Sequence, residues 1–138
     1  MNTAILAAVM LSMSPLEKAV HQVESSGRTG PDIVGDGGKA IGPLQIWRAC
    51  WFDAIAHDPT IGGCYEDCND LEYALKIFRA YTARYATKRR LGREPTDEDR
   101  ARIWNGGPNG YKKKATIKYW KKVKIEMDWV TVQKEYQK

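Results

Sequence analysis

Cysteine is scarce in this 138-residue chain: Cys50, Cys64 and Cys68 are the whole supply. Three thiols cannot all pair, so at most one internal bridge forms and a disulfide-rich scaffold is excluded. Histidine is scarcer still, and only His57 lies between the cysteines, at no recognised zinc-ligand spacing. Neither a metal nor another cofactor is expected. Long apolar runs are also missing. The one candidate, Ala4 to Met13, is too short to cross a bilayer as a helix. No transmembrane segment is expected, and the chain should be soluble. That run has the length of a signal-peptide core, yet no Lys or Arg precedes it, so it reads equally as a leading helix packed on the domain. Internal repeats and low-complexity segments are absent.

What is present suits one folded domain. Apolar residues make up 43% and charged residues 28%, far from the composition that keeps a chain disordered, and the length matches a single core. Residues 1–14 read as an apolar leading segment, 15–124 as the main domain and 125–138 as a tail that fits either alternation or a helix. The 22 Lys and Arg outnumber the 17 Asp and Glu, for a net charge of +5. Such a balance favours nucleic acid, anionic membrane or bacterial wall polymers without choosing among them. Lys112, Lys113, Lys114, Lys118, Lys121, Lys122 and Lys124 gather near the end, where they form a solvated helix face or a contact surface for anions.

Periodicity points to a mainly helical α+β chain. Ser14 and Pro15 open a helix whose stripe is Leu16, Ala19, Val20 and Val23, and Ser25-Ser26-Gly27 stops it just after Glu24. Glycines at 35, 37, 38 and 42 predict a small hairpin over 33–46, turning at Gly35 to Gly38. Trp47 to Ala56 has helical period up to Asp58-Pro59. The clearest helix starts near Asp70 and keeps Leu71, Ala74, Leu75, Phe78, Thr82 and Tyr85 on one face, so it should be central. Lys88 to Arg93 reads as a loop. Thr96 with Asp99 caps a helix from about Asp97 to Trp104, ended by Asn105-Gly106-Gly107-Pro108. A basic helix from Tyr111 to about Lys124 should turn Ile117, Trp120 and either Val123 or Lys124 inward.

Three segments in this order carry a resemblance. Val23-Glu24-Ser25-Ser26-Gly27 resembles the Glu-Ser-Gly motif of lytic transglycosylases and of goose-type and invertebrate-type lysozymes. Gly35 to Ile46, ending Gly42-Pro43-Leu44-Gln45-Ile46, resembles the Gly-x-x-Gln-Ile strand of those families. Ala101-Arg102-Ile103-Trp104-Asn105-Gly106-Gly107-Pro108-Asn109-Gly110 is similar to a stretch of invertebrate-type lysozymes in particular, and Tyr119-Trp120 follows as it tends to there. The chain is thus identified as a member of the lysozyme superfamily, resembling invertebrate-type lysozymes most, over about Leu16 to Val123. The resemblance implies a lysozyme-like fold with a small hairpin beside a helical domain, and a secreted or phage-borne enzyme acting on peptidoglycan glycan strands, with no obligatory nucleic acid. Invertebrate-type enzymes are rich in disulfides. Three cysteines therefore point instead to a bacterial or phage relative of that fold.

The chemistry can also be argued from the residues. Breaking a glycosidic bond near neutral pH needs a carboxylic acid whose pKa is raised by burial or charge, and Glu24 sits at the rim of an apolar stripe. A second carboxylate must act as nucleophile, ion-pair partner or base. Asp36, twelve residues on in the glycine-rich turn, matches by position the aspartate of invertebrate-type lysozymes; its other reading is a plain turn residue. Asp32 and Asp53 do not fall at the matching place. Gln45 is the strand residue whose amide could bond a sugar acetamido group, with Asn105, Gly106 and Gly107 lining the opposite wall. Tyr81 and Tyr85 are candidates for the cleft, with a core position as the alternative. Two rival functions remain: a lytic transglycosylase using Glu24 alone, and a non-catalytic basic wall- or nucleic-acid-binding module built on the C-terminal lysines and aromatics.

Overall fold

The computed structural model describes residues 2–137. The α-helices among them are α1 (Thr3–Ser12), α2 (Pro15–Ser25), α3 (Arg48–His57), α4 (Leu71–Tyr85), α5 (Lys88–Leu91), α6 (Asp97–Gly106) and α7 (Ile117–Tyr136). One antiparallel sheet of three two-residue strands, β1 (Val34–Gly35), β2 (Ala40–Ile41) and β3 (Ile46–Trp47), lies between α2 and α3 in the chain. Val34 faces Ile41 across the first pair, and Ala40 faces Trp47 across the second. The outcome is the mainly helical α+β fold expected. The 33–46 hairpin gains a third strand, because Gln45 N–H bonds Gly42 O and Gln45 takes a left-handed φ of 52°, which turns the chain back at once.

Local chemistry explains where the main helices start. Ser14 accepts from Glu17 N–H at 3.1 Å while Glu17 accepts from Ser14 N–H at 2.9 Å, and Pro15 opens the first turn. The Glu17 carboxylate also takes two bonds, of 2.7 and 2.9 Å, from Arg79 on α4, so one buried side chain caps α2 and ties two helices together. Asp70 caps α4 by accepting from Tyr73 N–H. The Thr96 and Asp99 capping box expected for α6 is present, with Arg93 adding two further bonds to Asp99.

Helix α4 is central, as its stripe implies. Leu71, Ala74, Leu75, Ile77 and Phe78 are buried among Leu16, Ala19 and Val20 of α2, Ile103 of α6 and Val123 of α7. Full burial of the Leu, Ile, Val and Phe side chains among these is worth roughly 1.5–3 kcal/mol each. Tyr65 joins the sheet to this core: its hydroxyl donates to Ile46 O at 2.6 Å. Cys50, Cys64 and Cys68 are all free thiols, Cys68 buried among the core residues.

Three expectations need correction. Lys88 to Leu91 is a helical turn within the expected loop, since Thr87 accepts from Arg90 N–H at its start and Gly92 ends it in the left-handed region. The basic helix begins at Ile117 after two 3-10 turns, Gly110–Lys112 and Lys114–Thr116. It then runs unbroken past Lys124 to Tyr136, so the tail is helical up to its Gln137 cap. Its buried side is Val123, with Tyr119, Trp120 and Met127 packed beside it, while Ile117 is exposed. The leading segment is helix α1, with Val9 and Met13 packed on the core. Residues 1 and 138, the outer ends of the leading segment and the tail, lie outside the described residues. Among the described residues no single helix is long and apolar enough to cross a membrane.

Candidate active site

Glu24 lies in the last turn of α2, where Ser26 ends the helix with a left-handed φ of 58° and its N–H returned to Gln22 O. Asp36 begins the turn between β1 and β2, also left-handed at φ 51°. The two come together with Gln45, Ile46, Trp47, Cys50, Trp104 and Asn105 around one pocket of about 310 Å³. Four of the expected site residues thus meet: Glu24, Asp36, Gln45 and Asn105.

Each is held differently. Glu24 is largely buried, and the Tyr119 hydroxyl of α7 donates to its Oε1 at 2.8 Å. Burial pushes the Glu24 carboxyl up to about 7, against the Tyr119 bond and with the negative charge of Asp36 adding to the rise. Burial and the neighbouring Glu24 likewise hold the Tyr119 phenol far above its ordinary range, so it stays a donor. Asp36 Oδ2 accepts from the Trp47 indole at 3.1 Å. Gln45 spends its side-chain N–H groups inside the sheet, donating to Gly42 O at 3.0 Å and Ile33 O at 3.4 Å, so it braces the wall that carries Asp36.

On the opposite wall, Asn105 is exposed at the pocket and Trp104 stacks edge-on against Phe78 and Tyr81. Gly106 and Gly107 do not line the pocket. The close approach that Gly106 permits is to Thr116, whose methyl lies where a side chain at 106 would go, and Gly107 closes α6 with a φ of 88°. The Gly106 carbonyl accepts from Lys113 at 2.6 Å, and Arg102 reaches Thr116 at 2.8 Å. This turn is therefore bound to the start of α7. Tyr81 and Tyr85 also lie outside the pocket: Tyr81 is only 5% exposed behind Trp104, and the Tyr85 hydroxyl is bonded to Asp53 at 2.8 Å. Tyr81 is a core residue, the alternative open to aromatics at helical spacing, and Tyr85 is a partly buried one packed against that core.

Spacing alone did not single out Tyr119, Trp47, Trp104 or Cys50 as site residues. A larger groove of about 680 Å³ runs between α1, α2 and the outer half of α7, lined by Met10, His21 and Trp129 among others, but Glu126 is its one carboxylate. Of these two, the smaller pocket is the one that holds a pair of carboxylates, Glu24 and Asp36. Among the described residues no group of three or more His, Cys, Asp or Glu is placed to hold a metal ion.

The Destabilase family model matches residues 19–125, a span containing Glu24, Asp36 and Tyr119. The chain belongs to the Destabilase family. It is 32% identical over 130 aligned residues to a lysozyme of Ostrea edulis, covering 87% of this chain and 90% of that protein. To Lysozyme 1 of Crassostrea virginica it is 38% identical over 88 residues, 63% of this chain; the match spans 45% of that protein, less than half its length. The crystal structure of Tapes japonica lysozyme superposes with a TM-score of 0.68 at 30% identity, over 80% of this chain and 87% of that one. The lysozyme-like fold is thus shown by sequence and by structure together.

Proposed function

We propose that this Destabilase-family chain is a lysozyme-type glycoside hydrolase acting on peptidoglycan. It cleaves the β-1,4 bond between N-acetylmuramic acid and N-acetylglucosamine, with Glu24 as general acid and Asp36 as nucleophile or charge stabiliser. The observation that carries this reading is Glu24 at the pocket beside Asp36, its carboxyl raised to about 7. A carboxylic acid with that pKa holds its proton near neutral pH and can hand it to a leaving oxygen. Asp36, bonded to an indole N–H and next to the same pocket, supplies the second carboxylate that hydrolysis needs. Once the leaving sugar departs, the ionised Glu24 takes a proton from the incoming water and is ready again.

Asn105 and the half-exposed face of Trp47 are the groups best placed to hold sugar, with Gln45 shaping the wall behind them. The basic surface supports an anionic wall as partner without requiring nucleic acid, and action outside the producing cell follows from the substrate. The relatives described above are bivalve proteins, and they lend no support to carriage in a phage particle or to a phage or bacterial source.

Digestion of purified peptidoglycan followed by mass spectrometry tests the reading. Reducing-end sugars should dominate, Glu24→Gln should abolish cleavage, and Asp36→Asn should lower it strongly. Predominant 1,6-anhydro ends with a nearly active Asp36→Asn protein would instead mean a lytic transglycosylase.

A further inference from the structure

We infer that Tyr119 is a positioning residue for the acid, its phenol deciding which oxygen of Glu24 carries the transferable proton. The inference rests on the reading of Glu24 as general acid. A phenol has one proton, and Tyr119 gives it to Glu24 Oε1 at 2.8 Å. An oxygen already accepting that proton is the poorer place for the carboxyl's own. The acidic proton therefore sits on Oε2, which has no partner among the described residues.

The phenol cannot easily leave this position. Tyr119 stands in the first turn of α7, packed beside Val123, and α7 lies along α2. Just before it, Thr116 is fixed by a bond from Arg102 of α6 and by its own bond to Gly110 O at 2.7 Å. The donor and the acid thus sit on two helices clamped together, 95 residues apart in the chain.

The same bond favours the carboxylate, so it offsets part of the rise that burial imposes. Other groups facing Glu24 do not replace it. The β1–β2 turn brings Asp36, whose charge acts in the opposite direction; α3 brings the Cys50 thiol; α6 brings only the uncharged Trp104 and Asn105. Tyr119 is the direct hydrogen-bond donor to Glu24 among the described residues.

The test is the pH profile of turnover on a soluble chitooligosaccharide for wild type, Tyr119→Phe and Glu24→Gln. Activity needs protonated Glu24, so the alkaline limb reports its loss of that proton. Removing the donor should move this limb upward by about one pH unit and lower kcat about tenfold, leaving KM nearly unchanged. A merely structural Tyr119 would reduce activity evenly with the limb unmoved, and that result overturns the inference. If Glu24→Gln keeps its activity, the acid assignment itself is wrong, an outcome separate from an unmoved limb with Glu24→Gln inactive. Should Tyr119→Phe not fold, 3-fluorotyrosine at position 119 keeps the ring and strengthens the donor. The limb should then move downward, and an unmoved limb overturns the inference equally.

Discussion

Trp47 holds Asp36 from two strands away: the indole Nε1–H donates to Oδ2 at 3.1 Å, although Trp47 itself pairs with Ala40. The bond fixes a carboxylate whose backbone already sits in the left-handed region. Trp47→Phe keeps most of the ring and deletes this donor. Turnover on a soluble oligosaccharide should fall about tenfold or more, as for loss of a charge-assisted bond, with little change in KM. Steady-state kinetics check this: the phenyl ring still offers a face to sugar, so a raised KM with kcat unchanged would mean that the indole bond to Asp36 is dispensable.

Glu24 should weaken the fold as pH rises. Its carboxyl titrates near 7 in the folded protein and near 4.5 when exposed, so the folded state binds the extra proton between those values and stability falls across that window. Glu24→Gln lacks this dependence. Its gain in stability over wild type should be small at pH 4 and grow to about 1–3 kcal/mol by pH 8. Urea denaturation at both pH values measures it.

Asp99 is the buried end of an ion pair whose other end, Arg93, is half exposed. The hydrogen bonds from Arg93, helped by those from Thr96, overcome burial and hold its carboxyl at about 2. The stability it contributes is present above its ordinary pKa and lost as pH falls towards 2. Asp99→Ala removes its half of the α6 capping box and the ion pair together, leaving the Thr96 cap bond, and should cost about 2–4 kcal/mol at neutral pH. Thermal melting reads the loss, and activity should return at temperatures where the variant is folded.

The lysines of α7 and its approach should serve encounter with the wall. Lys113 is an exception because it holds the Gly106 carbonyl, and Lys124 lies 3.5 Å from Asp128. Neutralising Lys112, Lys118, Lys121 and Lys122 should slow lysis of whole cells, most at low salt where the Debye length exceeds about 10 Å. Cleavage of a short neutral oligosaccharide should be unchanged. Equal losses in both assays would place these charges in the cleavage step.

Local signals carried most of the fold. The Ser14 and Thr96 caps, the stripe from Leu71 to Tyr85 and the stop at Asn105 to Pro108 depend on neighbours within a turn or two, and those boundaries fall where the spacing puts them. Glu24 and Asp36 were legible through their motifs. Tyr119 was legible only as part of the Tyr119-Trp120 pair of the resemblance; its bond to Glu24 was not, because the partner is 95 residues away. The signal available was Tyr119, Trp120, Val123 and Met127 at steps of one, three and four, a stripe wide enough to draw Tyr119 inward. Tyr81 and Tyr85 show the reverse: helical spacing gives the face but not what covers it, and Trp104 covers Tyr81.

The three free thiols also affect how the molecule is made. Helix caps, two ion pairs with buried carboxylates and a core joined through α4 hold the fold without a covalent crosslink among the described residues. None of these contacts depends on an oxidant or on an isomerase to sort pairings. The native form should persist through treatment with dithiothreitol, a reagent that dismantles domains stapled by cystine.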